Sequence, residues 1–110
     1  DWGKAFDHSA RLSPLIPLAD IPKAQAEFNT GRIWLSVNGE LRQDADLSEL
    51  IWSVKDIIAF CSQSVRLRAG DLIFTGTPAG VSAVGPGDSL SGGVAGIGKI
   101  QITLGEREAV

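Results

Sequence analysis

Between Arg32 and Val37 the chain alternates without interruption, Ile33, Leu35 and Val37 against Arg32, Trp34 and Ser36, and is then stopped by Asn38-Gly39. A period of two places the apolar set on one face of a strand. Asn-Gly accepts the positive φ that a type I′ turn demands at both central residues. The chain is thereby directed back along itself, so Glu40 to Gln43 is expected to return antiparallel, with Glu40 and Arg42 on a solvated face. Further β structure is expected near 88–94 and 99–104, where glycines punctuate short apolar stretches. With 13 glycines and 5 prolines in 110 residues, the chain reads as turn-rich and β-containing.

Other segments frame this hairpin. Pro14, Pro17 and Pro22 fix φ, remove backbone donors and push the preceding residues out of helical geometry, so 13–22 is expected to be an irregular connector. Asp46 stands three residues before Glu49, the spacing of a capping box, and an apolar run follows. The spacing predicts an amphipathic helix from Leu47 to Ser62 that packs on a sheet through Leu50, Ile51, Val54, Ile57, Ile58 and Cys61. Leu72-Ile73-Phe74-Thr75 is too short for a helix, lies between glycines and reads as a buried strand. Gly70-Asp71 and Gly87-Asp88 each precede a candidate strand, which implies two similar turns rather than a repeat architecture.

Size and charge narrow the function classes. A chain of 110 residues holds one domain with a modest core, and 105–110 reads as a polar tail. Thirteen acids against ten bases give a net charge of −3, without the basic excess that nucleic acid binding usually requires. Apolar runs such as Leu50-Ile51-Trp52 fall well short of the roughly 18 residues of a membrane span. Cys61 is the only cysteine, so no internal disulfide can form; a buried filler in a reducing, cytoplasmic setting is expected. The chain has no methionine, which fits a piece of something larger.

Candidate chemistry concentrates in two places. Gly76-Thr77-Pro78-Ala79-Gly80 follows the expected strand directly, and its amides together with the hydroxyls of Thr75 and Thr77 suit an anion. The lysine of a phosphate loop is absent, which leaves a carboxylate or carbonyl receiver or a plain strand-ending turn. Lys4, Asp7 and His8 offer a cation, a carboxylate and an imidazole, either as a solvated chain end or, in a cleft, as groups acting on a substrate oxygen. His8 is the only histidine, so a two-histidine metal site within one chain is excluded. Asp44-Ala45-Asp46 and Glu106-Arg107-Glu108 carry paired acids; the first reads as turn and helix-cap residues, the second as polar tail.

Taken together, Gly3-Lys4-Ala5-Phe6-Asp7, the Val37-Asn38-Gly39-Glu40 hairpin, Leu47-Ser48, and the run from Gly70-Asp71 through Thr75-Gly76-Thr77-Pro78-Ala79-Gly80-Val81 resemble the fumarylacetoacetate hydrolase family in residues, order and spacing. The wording at Lys4 to Ser9, Arg42-Gln43 and Leu50-Ile51-Trp52 is most similar to its fumarylpyruvate or acylpyruvate hydrolases. The resemblance implies an α+β, β-rich fold: a mixed β-roll with one amphipathic helix on the sheet, present here as a partial domain matching the C-terminal half of the family's catalytic domain. It also implies metal-dependent hydrolysis of a carbon–carbon bond in a β-diketo acid. There a divalent cation, Mg²⁺, Mn²⁺ or Ca²⁺, holds the keto-enolate oxygens while an activated water attacks the distal carbonyl.

The metal ligands of the family, a Glu-x-Glu pair and a later aspartate, have no counterpart in this chain. Lys4 falls on the family's active-site lysine, and Gly76 and Thr77 on its substrate-contacting loop, with Thr75 supporting them. Ser91 stands where members often carry a glutamate. The isolated chain is therefore expected to be inactive and to form homo-oligomers through exposed sheet edges. Two alternatives stand beside this expectation: an inert β domain that binds a small carboxylate or a protein partner, and a keto-acid decarboxylase or isomerase on the same scaffold.

Overall fold

The computed structural model describes residues 12–23 and 26–106. The expected hairpin forms its first half: β1 (Arg32–Val37) and β2 (Glu40–Asp46) pair antiparallel around Asn38-Gly39. Both turn residues adopt positive φ, 51° at Asn38 and 82° at Gly39, as a type I′ turn requires. β2 runs three residues past the expected Gln43, because Asp44 stays in the ladder opposite Trp34 instead of turning. Its carboxylate accepts from Arg32 Nε at 2.7 Å, and the same guanidinium lies 5.9 Å from the centroid of the Trp34 ring.

β3 (Ser89–Val94) and β4 (Gly98–Thr103) form a second hairpin, close to the expected spans. β3 docks antiparallel on the free edge of β1, which gives one sheet in the order β2-β1-β3-β4 with every described pairing antiparallel. Asn38 ties the hairpins together. Its amide oxygen accepts from Ser89 N at 2.9 Å, its side-chain nitrogen donates to Asp88 Oδ1 at 3.0 Å, and its backbone N–H donates to Ser89 O at 2.7 Å.

The Gly-Asp pairs do build the same turn. Asp71 Oδ2 accepts from Arg68 N at 2.8 Å while Asp71 N donates to Arg68 O at 3.1 Å. Asp88 Oδ2 accepts from Gly85 N at 2.9 Å while Asp88 N donates to Gly85 O at 3.1 Å. In each, the glycine before the aspartate takes a positive φ, 92° at Gly70 and 85° at Gly87.

The helix begins later than its spacing predicts. Asp46 and Glu49 do form the capping box, with Asp46 Oδ1 accepting from Ser48 N at 2.9 Å, but the box caps a single 3-10 turn, Leu47–Glu49. Leu50 then turns extended, with ψ of 129°. A second cap, Ser53 accepting from Asp56 N at 3.1 Å, starts α1 (Val54–Ser64). Trp52 folds back edge-on to Phe60, with ring centroids 5.6 Å apart, and Lys55 pairs with Glu27. No residue of α1 is buried; Cys61 is half-buried, and Ile58 and Phe60 are exposed.

Leu72-Ile73-Phe74-Thr75 is not a strand. No described segment pairs with it, and Leu72 and Phe74 are exposed. The proline-bearing stretch is irregular as expected, apart from one 3-10 turn, Leu18–Asp20, behind Pro17. The only apolar residues buried among those described are Ile21 and Val37. The Cα radius of gyration is 15.4 Å, against about 13 Å for a compact chain of this length. The structure is thus an open sheet with much apolar surface in water.

Candidate functional site

The site is built from β2 outward. Between Leu35↔Gln43 and Ser36↔Leu41 the register slips, so Arg42 is the extra residue of a β-bulge. The bulge lies against the segment after Thr75. Arg42 Nη1 donates to Ser82 Oγ at 2.6 Å. A Cβ on Gly80 would overlap the Arg42 carbonyl oxygen, and Gly80 itself takes φ of 103°, so only glycine fits there.

Next to the bulge, Gln43 is a buried polar side chain, 8% exposed. Its Nε2 donates to Thr77 Oγ1 at 2.8 Å and to Pro78 O at 2.7 Å. Three neighbouring contacts, from Arg42, Gln43 and Gly80, therefore fix 77–82 on β2.

Thr75 to Ala79 line a cavity of about 540 Å³ together with Ile33, Leu47, Leu50 and Ile57. Gly76 adopts φ of 103° at its rim, and Thr75, Gly76 and Thr77 are all exposed. The structure thus sets these sequence-expected residues on one lining with aliphatic side chains and Trp52. Such a lining offers hydroxyl and backbone groups beside apolar surface.

Asp46 and Glu49 also line the cavity, but their oxygens serve the backbone. Asp46 Oδ1 takes Ser48 N, its Oδ2 takes Gly31 N at 3.2 Å, and Glu49 Oε1 takes Asp46 N at 3.4 Å. The Ser48 hydrogen bonds, aided by Gly31 and against some desolvation, hold the Asp46 carboxyl below the usual carboxylate range. Asp44 is lowered too, chiefly by its bond to Arg32. The acids at 44 and 46 thus serve an ion pair and a cap. Among the described residues no group of three histidine, cysteine or acidic side chains is placed to hold a metal ion.

Lys4, Asp7 and His8 lie outside the described residues, as do Arg107 and Glu108; Glu106 is exposed. Ser91 sits in β3 between Ser36 and Gln101, away from the cavity lining. Gln43 is the site residue that sequence reasoning missed. Its neighbours Arg42 and Asp44 are charged, so it reads as one more polar position on a wet strand; only the bulge turns it inward. Among the described residues no helix is long and apolar enough to cross a membrane.

Comparison with known proteins places this geometry. Residues 2–104 match the family model described as fumarylacetoacetate (FAA) hydrolase C-terminal. A fumarylpyruvate hydrolase of Ralstonia sp is 41% identical over 108 residues, 98% of this chain and 54% of that protein. A mitochondrial oxaloacetate tautomerase of Rattus norvegicus is 43% identical over 94 residues, 86% of this chain and 41% of that protein. The crystal structure of fumarylpyruvate hydrolase from Pseudomonas aeruginosa in complex with Mn²⁺ and pyruvate superposes with a TM-score of 0.72 at 39% identity, covering 78% of this chain and 37% of that one. The chain spans about half the length of the curated relatives it matches.

Proposed function

Since the chain belongs to the fumarylacetoacetate hydrolase family, we propose that it forms the substrate-contacting part of a hydrolase that cleaves a carbon–carbon bond in an acylpyruvate such as fumarylpyruvate. The observation that carries this reading is the placement of Thr75, Gly76 and Thr77 along a cavity whose remaining lining is largely aliphatic. An acylpyruvate carries its carboxylate and keto oxygens at one end, and these fit hydroxyl and amide donors next to an apolar stem pocket. In this reading Thr75, Gly76 and Thr77 bind those oxygens and keep the scissile bond oriented. The family resemblance supports a role for Lys4 as well, its cation adding positive charge at the substrate oxygens.

The described residues supply no metal site. The family reading nonetheless includes a divalent cation, Mg²⁺ or Mn²⁺, and a bound Mn²⁺ in the Pseudomonas enzyme supports it. Such an ion supplies electrostatic stabilisation of an enolate oxygen. The contribution of this chain is to receive the acid end of the substrate and to wall off the stem. Alone it is inactive. It works as a homo-oligomer in the cytoplasm, and the exposure of Leu72, Phe74 and Val81 favours assembly.

A second reading, keto-acid isomerisation, is favoured by the Rattus tautomerase. One exchange separates the two. Residues 2–104 are substituted for the matching stretch of the Ralstonia enzyme, and the chimaera is assayed with fumarylpyruvate and with oxaloacetate in Mn²⁺. Loss of the fumarylpyruvate enol absorbance supports the hydrolase; a folded chimaera that only tautomerises oxaloacetate overturns it, and one that does neither supports an inert binding domain.

A further inference from the structure

We infer that Gln43 is a positioning residue that sets the Thr77 hydroxyl as a hydrogen-bond donor and so selects for an anionic ligand oxygen at the loop. The inference rests on the proposed role of the Thr75 to Thr77 loop in receiving an acid, and deepens it.

The direction of the hydrogen bonds follows from elementary bookkeeping of donors. Pro78 O is a backbone carbonyl and can only accept. The Gln43 atom 2.7 Å from it must therefore be the amide nitrogen, which fixes the side-chain flip. That nitrogen has two hydrogens. One goes to Pro78 O, so the other goes to Thr77 Oγ1 at 2.8 Å. The Thr77 hydroxyl thus accepts from Gln43, and its own proton stays free for another acceptor. Because the threonine oxygen receives a hydrogen bond, its O–H is polarised toward stronger donation.

A buried carboxamide makes this setting durable. Gln43 is 8% exposed and is held next to the Arg42 bulge, while Gly80 and Ser82 hold the same segment a few residues on. The loop is therefore attached to β2 and not free to rotate Thr77 away. The free donor at Thr77, on the cavity lining, favours an acceptor oxygen, most strongly an anionic one, over an amine donor, which is the chemical selection the site exerts.

The test uses the 110-residue chain, with pyruvate as anionic probe and methyl pyruvate as its neutral counterpart, followed by amide NMR signals of Gly76 and Thr77. Three variants are compared with wild type: Gln43→Leu, Gln43→Glu and Gln43→Asn. Gln43→Leu is expected to weaken pyruvate about tenfold. Gln43→Glu is expected to weaken it about a hundredfold, because the introduced carboxylate accepts the Thr77 proton and repels the ligand, and to recover affinity as pH falls and that carboxylate is protonated. Methyl pyruvate should change by less than threefold in the glutamate variant relative to the leucine one. Equal losses for both probes in both variants, with no pH dependence, would mean a merely structural role and overturn the inference.

A ligand-free readout separates the two levels of the reading. Backbone NMR order parameters at Thr77 and Ala79 should fall in Gln43→Leu and less in Gln43→Asn; unchanged values overturn the hold of Gln43 on the loop, whatever the ligand does. If wild type shows no pyruvate binding while the order parameters still respond to Gln43→Leu, the acid-receiving reading falls and takes the donor role of Thr77 with it. Should Gln43→Leu fail to fold, the Gln43→Glu pH profile decides alone: flat overturns, rising toward acid supports.

Discussion

Gly80 lies directly against the backbone carbonyl of Arg42, so closely that any side chain at position 80 would occupy the carbonyl oxygen's place. Both partners are special, one the extra residue of a bulge and the other at φ of 103°. Gly80→Ala is expected to cost on the order of 2–3 kcal/mol, from left-handed backbone strain together with displacement of the loop. Urea unfolding reads the loss. A variant within 0.5 kcal/mol of wild type (roughly the level of a neutral surface change) would show that the loop is not seated on the bulge.

Acid should unfold the chain through a few identifiable carboxylates. Asp88 is held below the usual carboxylate range chiefly by Gly85 N–H, with Asn38 assisting; Asp46 is lowered by Ser48 and Asp44 by Arg32. A pKa depressed by folding means that the unfolded chain binds more protons in this range, so stability rises with pH there. The contribution is complete above the unfolded value, roughly 3.9, and is lost as pH falls through the folded value. Urea midpoints should be level from pH 7 to about 5 and drop below about 4. In Asp88→Asn the drop should be shallower. Parallel acid limbs in the two proteins would remove Asp88 from this role.

The helix has a measurable starting point. Ser53→Ala removes the cap of α1 and should lower stability by about 1 kcal/mol with a loss of far-ultraviolet helical signal. Glu49→Ala breaks only a 3.4 Å bond at the preceding 3-10 turn and should leave that signal unchanged. The reverse ranking in circular dichroism would mean that the helix begins at Leu47 after all.

Assembly can be weakened at a chosen residue. Phe74 is 68% exposed beside Leu72, an arrangement that invites burial by association. Phe74→Asp is expected to shift sedimentation equilibrium toward monomer without changing the hairpin amide signals of Asn38 and Ser89. If wild type is itself monomeric at high concentration, the homo-oligomer reading fails.

What could be read from residues alone followed how local each signal was. The Asn38-Gly39 turn and its strand Arg32–Val37 need only their own φ preferences and alternation, and both hairpins form close to where these place them. The helix start was misplaced because the capping box at Asp46 satisfies only a 3-10 turn, and the cap of α1 is Ser53, seven residues on. The segment 72–75 has strand composition, but a strand is a relation between two backbones, and no pattern within four residues supplies the partner. Thr75, Gly76 and Thr77 were legible as a group because glycine and hydroxyl residues cluster there. Gln43 was not, since its inward turn depends on where the register slips. Lys4 lies outside the described residues.

The pairing of β1 with β3 joins Val37 to Leu90 across a long stretch of chain, whereas β1 with β2 and β3 with β4 meet their neighbours across short turns. Closing that stretch costs chain entropy, so the two hairpins are expected to assemble first and the seam between them to be the slow event. The segment carrying Thr75 to Gly80 lies inside the stretch being closed. Arg42 and Gln43 tie it to β2, so its docking on the first hairpin shortens the stretch left to close, and a substitution at the seam such as Val37→Ala should slow refolding more than one confined to either turn. The same contacts that seat the loop on β2 thus draw the second hairpin toward the edge of β1 that it must find.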